Sequence, residues 1–126
     1  MVIVAVGIDA TDIPRVDEAL RRFGTRFLER VFTAGEITYC TGRRNPAPHL
    51  AARFAAKEAA MKALGTGVSQ GVSWRQIEVV RHHGPPQLQF HGVAAERLAS
   101  LGATRALLSL THAESLALAQ VLLLAD

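Results

Sequence analysis

Apolar side chains open the chain in strict alternation, with Val4, Val6 and Ile8 falling between Ile3, Ala5 and Gly7. A two-residue period rich in β-branched residues predicts a strand, here ending at Asp9. Thr11 or Asp12 can cap a following helix that has Pro14 in its first turn and runs past Val16 and Leu20 to Gly24. Thr25 starts a short helix carrying Phe27, Leu28 and Val31. Thr33 and Glu36 have capping-box spacing and predict another, ending near Gly42. Asn45 and Pro46 then open a long helix through Leu50, Phe54, Met61 and Leu64, stopped by Gly65.

Beyond it the period returns to two. Segments 77–81 and 87–91 read as strands around Gly84-Pro85-Pro86, 94–101 as a helix before Gly102, and 106–111 and 116–124 as a final strand pair. Short turns join neighbouring strands. The order predicts an α+β fold, with a largely antiparallel sheet and a long central helix. No repeat, low-complexity tract or linker divides it, so residues 1–126 are expected to form a single domain.

Composition narrows the setting. With 126 residues and 49% hydrophobic content, burial can stabilise the chain without cross-links. Cys40 is the only cysteine, which fits a reducing compartment; it reads as a small buried apolar side chain. The apolar N-terminus is too short and lacks the basic start of a signal segment, and His112, Glu114 and Gln120 interrupt the apolar C-terminus. The expectation is a soluble, cytoplasmic protein without a membrane partner.

A net charge of +3 favours an acidic partner: nucleic acid, a phosphorylated small molecule or an acidic protein. Aromatic residues make up only 6%, and no strand interleaves them with basic residues, which argues against nucleic acid. Of the fourteen Lys and Arg side chains, only Lys57 and Lys62 are lysine. Lysine is a compact, mobile charge whose proton can be tuned, unlike the guanidinium fork.

Three segments carry candidate chemistry. Asp9 closes the first strand, and Gly7 beside it suggests close backbone approach. On the long helix, Glu58 and Lys62 share a face, as do Arg53 and Lys57, amid a run of alanines that lets another element or a ligand come near. A simple surface pair between Glu58 and Lys62 is the plainer alternative. Near the C-terminus, alternation puts Ser109 and Thr111 on one face beside His112, a plausible phosphate-binding edge. The remaining histidines lack zinc-site spacing, and neither a P-loop nor a nucleophile-elbow motif is present.

Taken in order, Gly7-Ile8-Asp9, Arg53-Phe54-Ala55-Ala56-Lys57-Glu58-Ala59 with Lys62 and Gly65-Thr66-Gly67, and Ser109-Leu110-Thr111-His112 resemble the holo-[acyl-carrier-protein] synthase type of phosphopantetheinyl transferase. Arg30 and Phe32-Thr33 with Glu36 fit the same family, and the resemblance spans essentially the whole chain. It implies a phosphopantetheinyl transferase-like fold. It also implies transfer of the 4′-phosphopantetheine group of coenzyme A to a serine of an apo acyl carrier protein, with release of 3′,5′-ADP; the carrier is left open between fatty-acid biosynthesis, polyketide synthesis and a larger fused synthase.

By the same resemblance, Asp9 and Glu58 hold Mg²⁺ and form the catalytic set with Lys62. Arg53, Lys57, Lys62 and His112 hold phosphates of coenzyme A, while Gly65, Thr66, Gly67, Ser109 and Thr111 contact the ligand. The general base is left open between Glu58 and a water on the metal. Arg15, Arg22 and Arg26, with Arg21 as an alternative, face the carrier protein, although each also fits an ordinary solvated helix face. The family forms homotrimers with active sites at subunit interfaces. One departure is Gly84-Pro85-Pro86, where the family often has Gly-Lys-Pro and so places a lysine in the turn. A non-catalytic module binding coenzyme A or a nucleotide is the rival reading, since it needs the phosphate ligands but no metal-binding carboxylates.

Overall fold

Strand β1 (Val2–Asp12) leads into helices α1 (Ile13–Phe23), α2 (Thr25–Val31), α3 (Ala34–Thr41) and α4 (Pro46–Leu64). A 3₁₀ turn at Trp74–Gln76 precedes β2 (Ile77–Val80), β3 (Gln87–Phe90), α5 (Gly92–Ser100), β4 (Arg105–His112) and β5 (Leu116–Ala125). This computed structural model describes residues 1–126. Every strand pair is antiparallel, as the short turns require for β2-β3 and β4-β5, and the strands form two sheets, β1-β5-β4 and β2-β3. The fold is α+β, as expected.

Local chemistry sets most of the boundaries. The Asp12 carboxylate accepts from the Arg15 amide at 3.2 Å and caps α1, which ends at Gly24 with φ +53°. Thr33 and Glu36 make both bonds of a capping box at the start of α3. At the end of α4, Gly65 adopts φ +77°, a left-handed conformation that favours glycine. The first strand departs from expectation. It continues past Asp9 to Asp12 because β5 supplies ladder partners throughout, pairing Asp9 with Ala119 and Thr11 with Ala117. Asp9 therefore projects from mid-strand, not from a strand end.

The alanines of α4 face the sheet. Ala55, Ala56, Ala59 and Ala60 are fully buried with Met61 and Leu64, packed in one cluster with Val121 and Leu123 of β5. A second cluster joins Leu50 and Ala51 to Ile13 and Val16 of α1, to Phe32 and to Cys40. Small side chains let the sheet lie close on the helix, so the alanine run serves packing against β1 and β5.

The opposite face of the three-stranded sheet is uncovered. Register aligns Val6 with Leu122 and Leu107, and Ile8 with Gln120 and Ser109. Val6, Ile8 and Leu107 are 52%, 58% and 47% exposed.

Candidate active site

β1, α1, α2 and α4 together line a cavity of about 400 Å³, bordered by Asp9, Thr11, Asp12, Arg15, Phe54 and Glu58. Two carboxylates 49 positions apart in sequence thus open into one space. Lys62 closes the group: its Nζ donates to Asp9 Oδ1 at 2.9 Å and to the Ile8 carbonyl at 3.1 Å. Asp9 Oδ2 accepts from Thr11 Oγ1 at 3.2 Å. The plain Glu58–Lys62 pair does not form; Lys62 reaches across to the strand, and Glu58 Oε1 accepts from Trp74 Nε1 at 3.0 Å. Asp9, Glu58 and Lys62 are therefore brought together.

Lys57 is placed elsewhere. It is 0% exposed, and its Nζ donates to Glu36 Oε1 at 2.7 Å, to the Trp74 carbonyl at 3.0 Å and to the Ile77 carbonyl at 2.5 Å. Burial pulls its pKa below the ordinary lysine value, an effect opposed by the Glu36 carboxylate. An ammonium has three donors, and all three are spent inside the fold. The expectation that Lys57 holds a phosphate is corrected on that ground.

A second group forms around Arg53, which is 5% exposed. Its guanidinium lies over the Tyr39 ring at 4.2 Å, as does that of Arg43. Arg53 Nη1 reaches the His49 carbonyl at 3.5 Å, while Nε is buried without a partner. The side chain borders a cavity of about 550 Å³ shared with Tyr39, Arg81 and His82. The His112 ring lies 6.3 Å from His49. Burial, then Arg43, Arg53 and His112, hold the His49 pKa below its ordinary value.

Ser109 and Thr111 are exposed on the outward face of β4, with Leu108 and Leu110 turned toward the core, as the alternation predicts. Gly65 and Gly67 both have positive φ, and between them Thr66 turns its hydroxyl onto the Gly67 carbonyl at 2.9 Å. This segment closes the helix end.

Of the basic residues assigned to the carrier face, Arg15 lines the Asp9–Glu58 cavity. Arg26 lines a neighbouring space of about 300 Å³ with Phe23, Phe27 and Arg30. Arg22 lies over the Phe23 ring, and Arg21 is tied to Asp17 at 2.7 Å. Cys40 is buried, and burial pushes its thiol pKa up to about 11. No helix is long and apolar enough to cross a membrane.

Sequence reasoning missed Trp74, Tyr39 and His49 as members of these clusters. No period or spacing marks them; the one available signal was that Trp74 is the only tryptophan.

Comparison with known proteins shows the family. Residues 5–120 match the family model described as the 4′-phosphopantetheinyl transferase superfamily. The holo-[acyl-carrier-protein] synthase of Koribacter versatilis is 49% identical over 122 residues, covering 96% of this chain and 98% of that protein. Among solved structures, the synthase of Neisseria meningitidis superposes with a TM-score of 0.88 at 32% identity, covering 97% of this chain and 98% of the other. The Bacillus anthracis synthase, in complex with CoA (3′,5′-ADP), gives 0.81 at 33% identity, with 98% of each chain covered. The chain therefore belongs to the 4′-phosphopantetheinyl transferase superfamily, within its holo-[acyl-carrier-protein] synthases, and is a transferase.

Proposed function

We propose that this chain moves the 4′-phosphopantetheine group of coenzyme A onto a serine of an apo acyl carrier protein and releases 3′,5′-ADP, as one cytoplasmic domain serving fatty-acid synthesis. The observation that carries the reading is the meeting of Asp9 and Glu58 at one cavity, with Lys62 bonded to Asp9. The complex of the B. anthracis relative with CoA (3′,5′-ADP) supports coenzyme A as the donor.

The donor set suits Mg²⁺. The cavity offers hard carboxylate oxygens, and no cluster of three or more His, Cys, Asp or Glu side chains forms a cage. That matches an ion bound by one or two carboxylates together with substrate phosphate oxygens and water. Asp9 and Glu58 would hold it, and when bound it supplies Lewis-acid polarisation of the diphosphate.

The protein's own groups account for the rest. The serine oxygen bonds to the β-phosphorus as the anhydride P–O bond breaks, and the electron pair leaves on 3′,5′-ADP. Lys62, whose side chain is 55% exposed beside Asp9, meets the charge that grows on the leaving oxygen. Glu58 keeps Oε2 free of protein donors, which makes it available to a cation or to the proton of the incoming hydroxyl. Arg53, with an unpartnered Nε beside Arg81 and His82, and His112 near His49 are assigned to phosphate binding.

The two groups border separate cavities of the protomer, and the uncovered face built from Val6, Ile8 and Leu107 adjoins Ser109. Both features support a homotrimer in which one subunit's Arg53 group completes a neighbour's Asp9–Glu58 cavity. Arg15 and Arg26 beside Phe23 and Phe27 supply a basic, partly apolar face for an acidic carrier.

The test is transfer itself. Purified protein with Mg²⁺, coenzyme A and apo carrier should yield the phosphopantetheine mass increment on the carrier and stoichiometric 3′,5′-ADP. Coenzyme A binding without transfer to several apo carriers would return the chain to a non-catalytic binding module.

A further inference from the structure

The Trp74 indole spans one turn of α4. Its ring stacks on Phe54, with centroids 6.1 Å apart and planes at 29°, and its Nε1 donates to Glu58 Oε1 at 3.0 Å. Phe54 and Glu58 are four residues apart and share a helix face. The backbone carrying the indole is gripped from within. Lys57 Nζ binds the carbonyls of Trp74 and Ile77, which bracket the 3₁₀ turn. Lys57 is in turn fixed by Glu36, whose carboxylate also takes the amides of Thr33 at 2.9 Å and Val79 at 2.8 Å. Lys57 and Glu58 are consecutive, one turned into the core and the other into the cavity. The loop is closed: the residue before Glu58 holds the backbone of the residue whose side chain holds Glu58.

We propose that Trp74 is a positioning residue for Glu58. Its N–H fixes Oε1 and leaves Oε2 as the oxygen free to serve the reaction, and the buried Glu36–Lys57 pair acts on the site through it. This rests on the reading of Glu58 as a site carboxylate. Stacking on Phe54 needs only an aromatic ring, so phenylalanine would satisfy a purely structural role at position 74. The directed N–H is what indole adds, and a bond to an ionised acceptor is the stronger kind. It selects one rotamer of a flexible side chain, and preorganised groups of this sort stabilise a transition state without reorganising during the reaction.

Two measurements test this. Metal-free ¹⁵N-labelled protein has a single indole N–H resonance, because Trp74 is the only tryptophan. Glu58→Gln replaces the ionised acceptor with a neutral one and should move that resonance upfield. In transfer assays, Trp74→Phe should lower kcat about tenfold, in line with one charge-assisted hydrogen bond. It should also raise the Mg²⁺ concentration needed for half-maximal rate, leave KM for coenzyme A within about twofold, and preserve the thermal midpoint. Where phenylalanine unsettles the fold, benzothienylalanine at position 74 keeps the ring outline and removes only the N–H, with the same expected losses.

An indole resonance unmoved by Glu58→Gln, or a Trp74→Phe protein with wild-type kcat while Glu58→Gln is inactive, overturns the positioning role and leaves the assignment of Glu58 intact. Full activity in Glu58→Gln overturns that assignment and this inference together.

Discussion

Gly7 of β1 lies against the backbone of Ala59 in α4, so a Cβ added at residue 7 would collide with the Ala59 carbonyl group, its carbon 2.8 Å away, and stand 3.0 Å from the Ala63 nitrogen. Backbone cannot swing aside as a side chain can. Gly7→Ala should therefore lower stability by about 3 kcal/mol, at the upper end of overpacking costs. Urea denaturation checks this: the midpoint falls with an unchanged slope. Because Asp9 is two residues away on the same strand, transfer activity should fall as well, and a wild-type midpoint would contradict the close packing.

The Lys57–Glu36 pair is fully buried, with both side chains 0% exposed. Lys57→Met would strand the Glu36 carboxylate in the core and should cost about 3–5 kcal/mol. Adding Glu36→Gln removes the orphaned charge and should restore part of the loss, which makes the pair non-additive in a double-mutant cycle. Additive losses would show that the two side chains do not act on each other.

At the cavity, Asp9→Ala and Glu58→Gln should each abolish transfer while circular dichroism stays native. Asp9→Ala also frees Lys62 from its 2.9 Å partner. Wild-type turnover by either variant at limiting Mg²⁺ would remove that carboxylate from the metal assignment.

For the carrier face, Arg26 gives the cleaner probe, because Arg15 borders the Asp9–Glu58 cavity. Arg26→Glu should weaken carrier affinity several-fold, more at low salt than at high, and leave coenzyme A binding unchanged. Arg15→Glu should weaken both. Calorimetry with each ligand separates them, and equal losses for Arg26→Glu would place that residue in the nucleotide site.

His49 sets a pH dependence. Burial, followed by the charges of Arg43, Arg53 and His112, lowers its pKa from 6.5. As pH falls, the unfolded chain takes up the proton first, so the stability tied to His49 is whole above about pH 6.5 and is lost as pH drops toward the lowered native value. A bound phosphate would offset that repulsion and raise the pKa again. Affinity for 3′,5′-ADP should then increase from about pH 7.5 to about 6, with proton uptake on binding that disappears in His49→Gln. Proton uptake unchanged in the variant would assign it to another group.

The sequence by itself determined the elements and their order. Caps, prolines and stop glycines act over a few residues, so Asp12, the Thr33–Glu36 box and Gly65 were legible as boundaries, and the alternation along β4 placed Ser109 and Thr111 outward. The motifs likewise marked Asp9, Glu58 and Lys62. Only the tertiary structure decided what surrounds each of them. Lys57 and Lys62 were both expected to hold phosphate from one helix, yet α3 brings Glu36 onto the first while β1 brings Asp9 to the second. The strand ran three residues past its expected end because β5 offered it partners, and the lone indole found Glu58 from sixteen residues away. A side chain's role follows from its burial and its partners, and these contacts join residues too far apart in sequence for any local pattern to record.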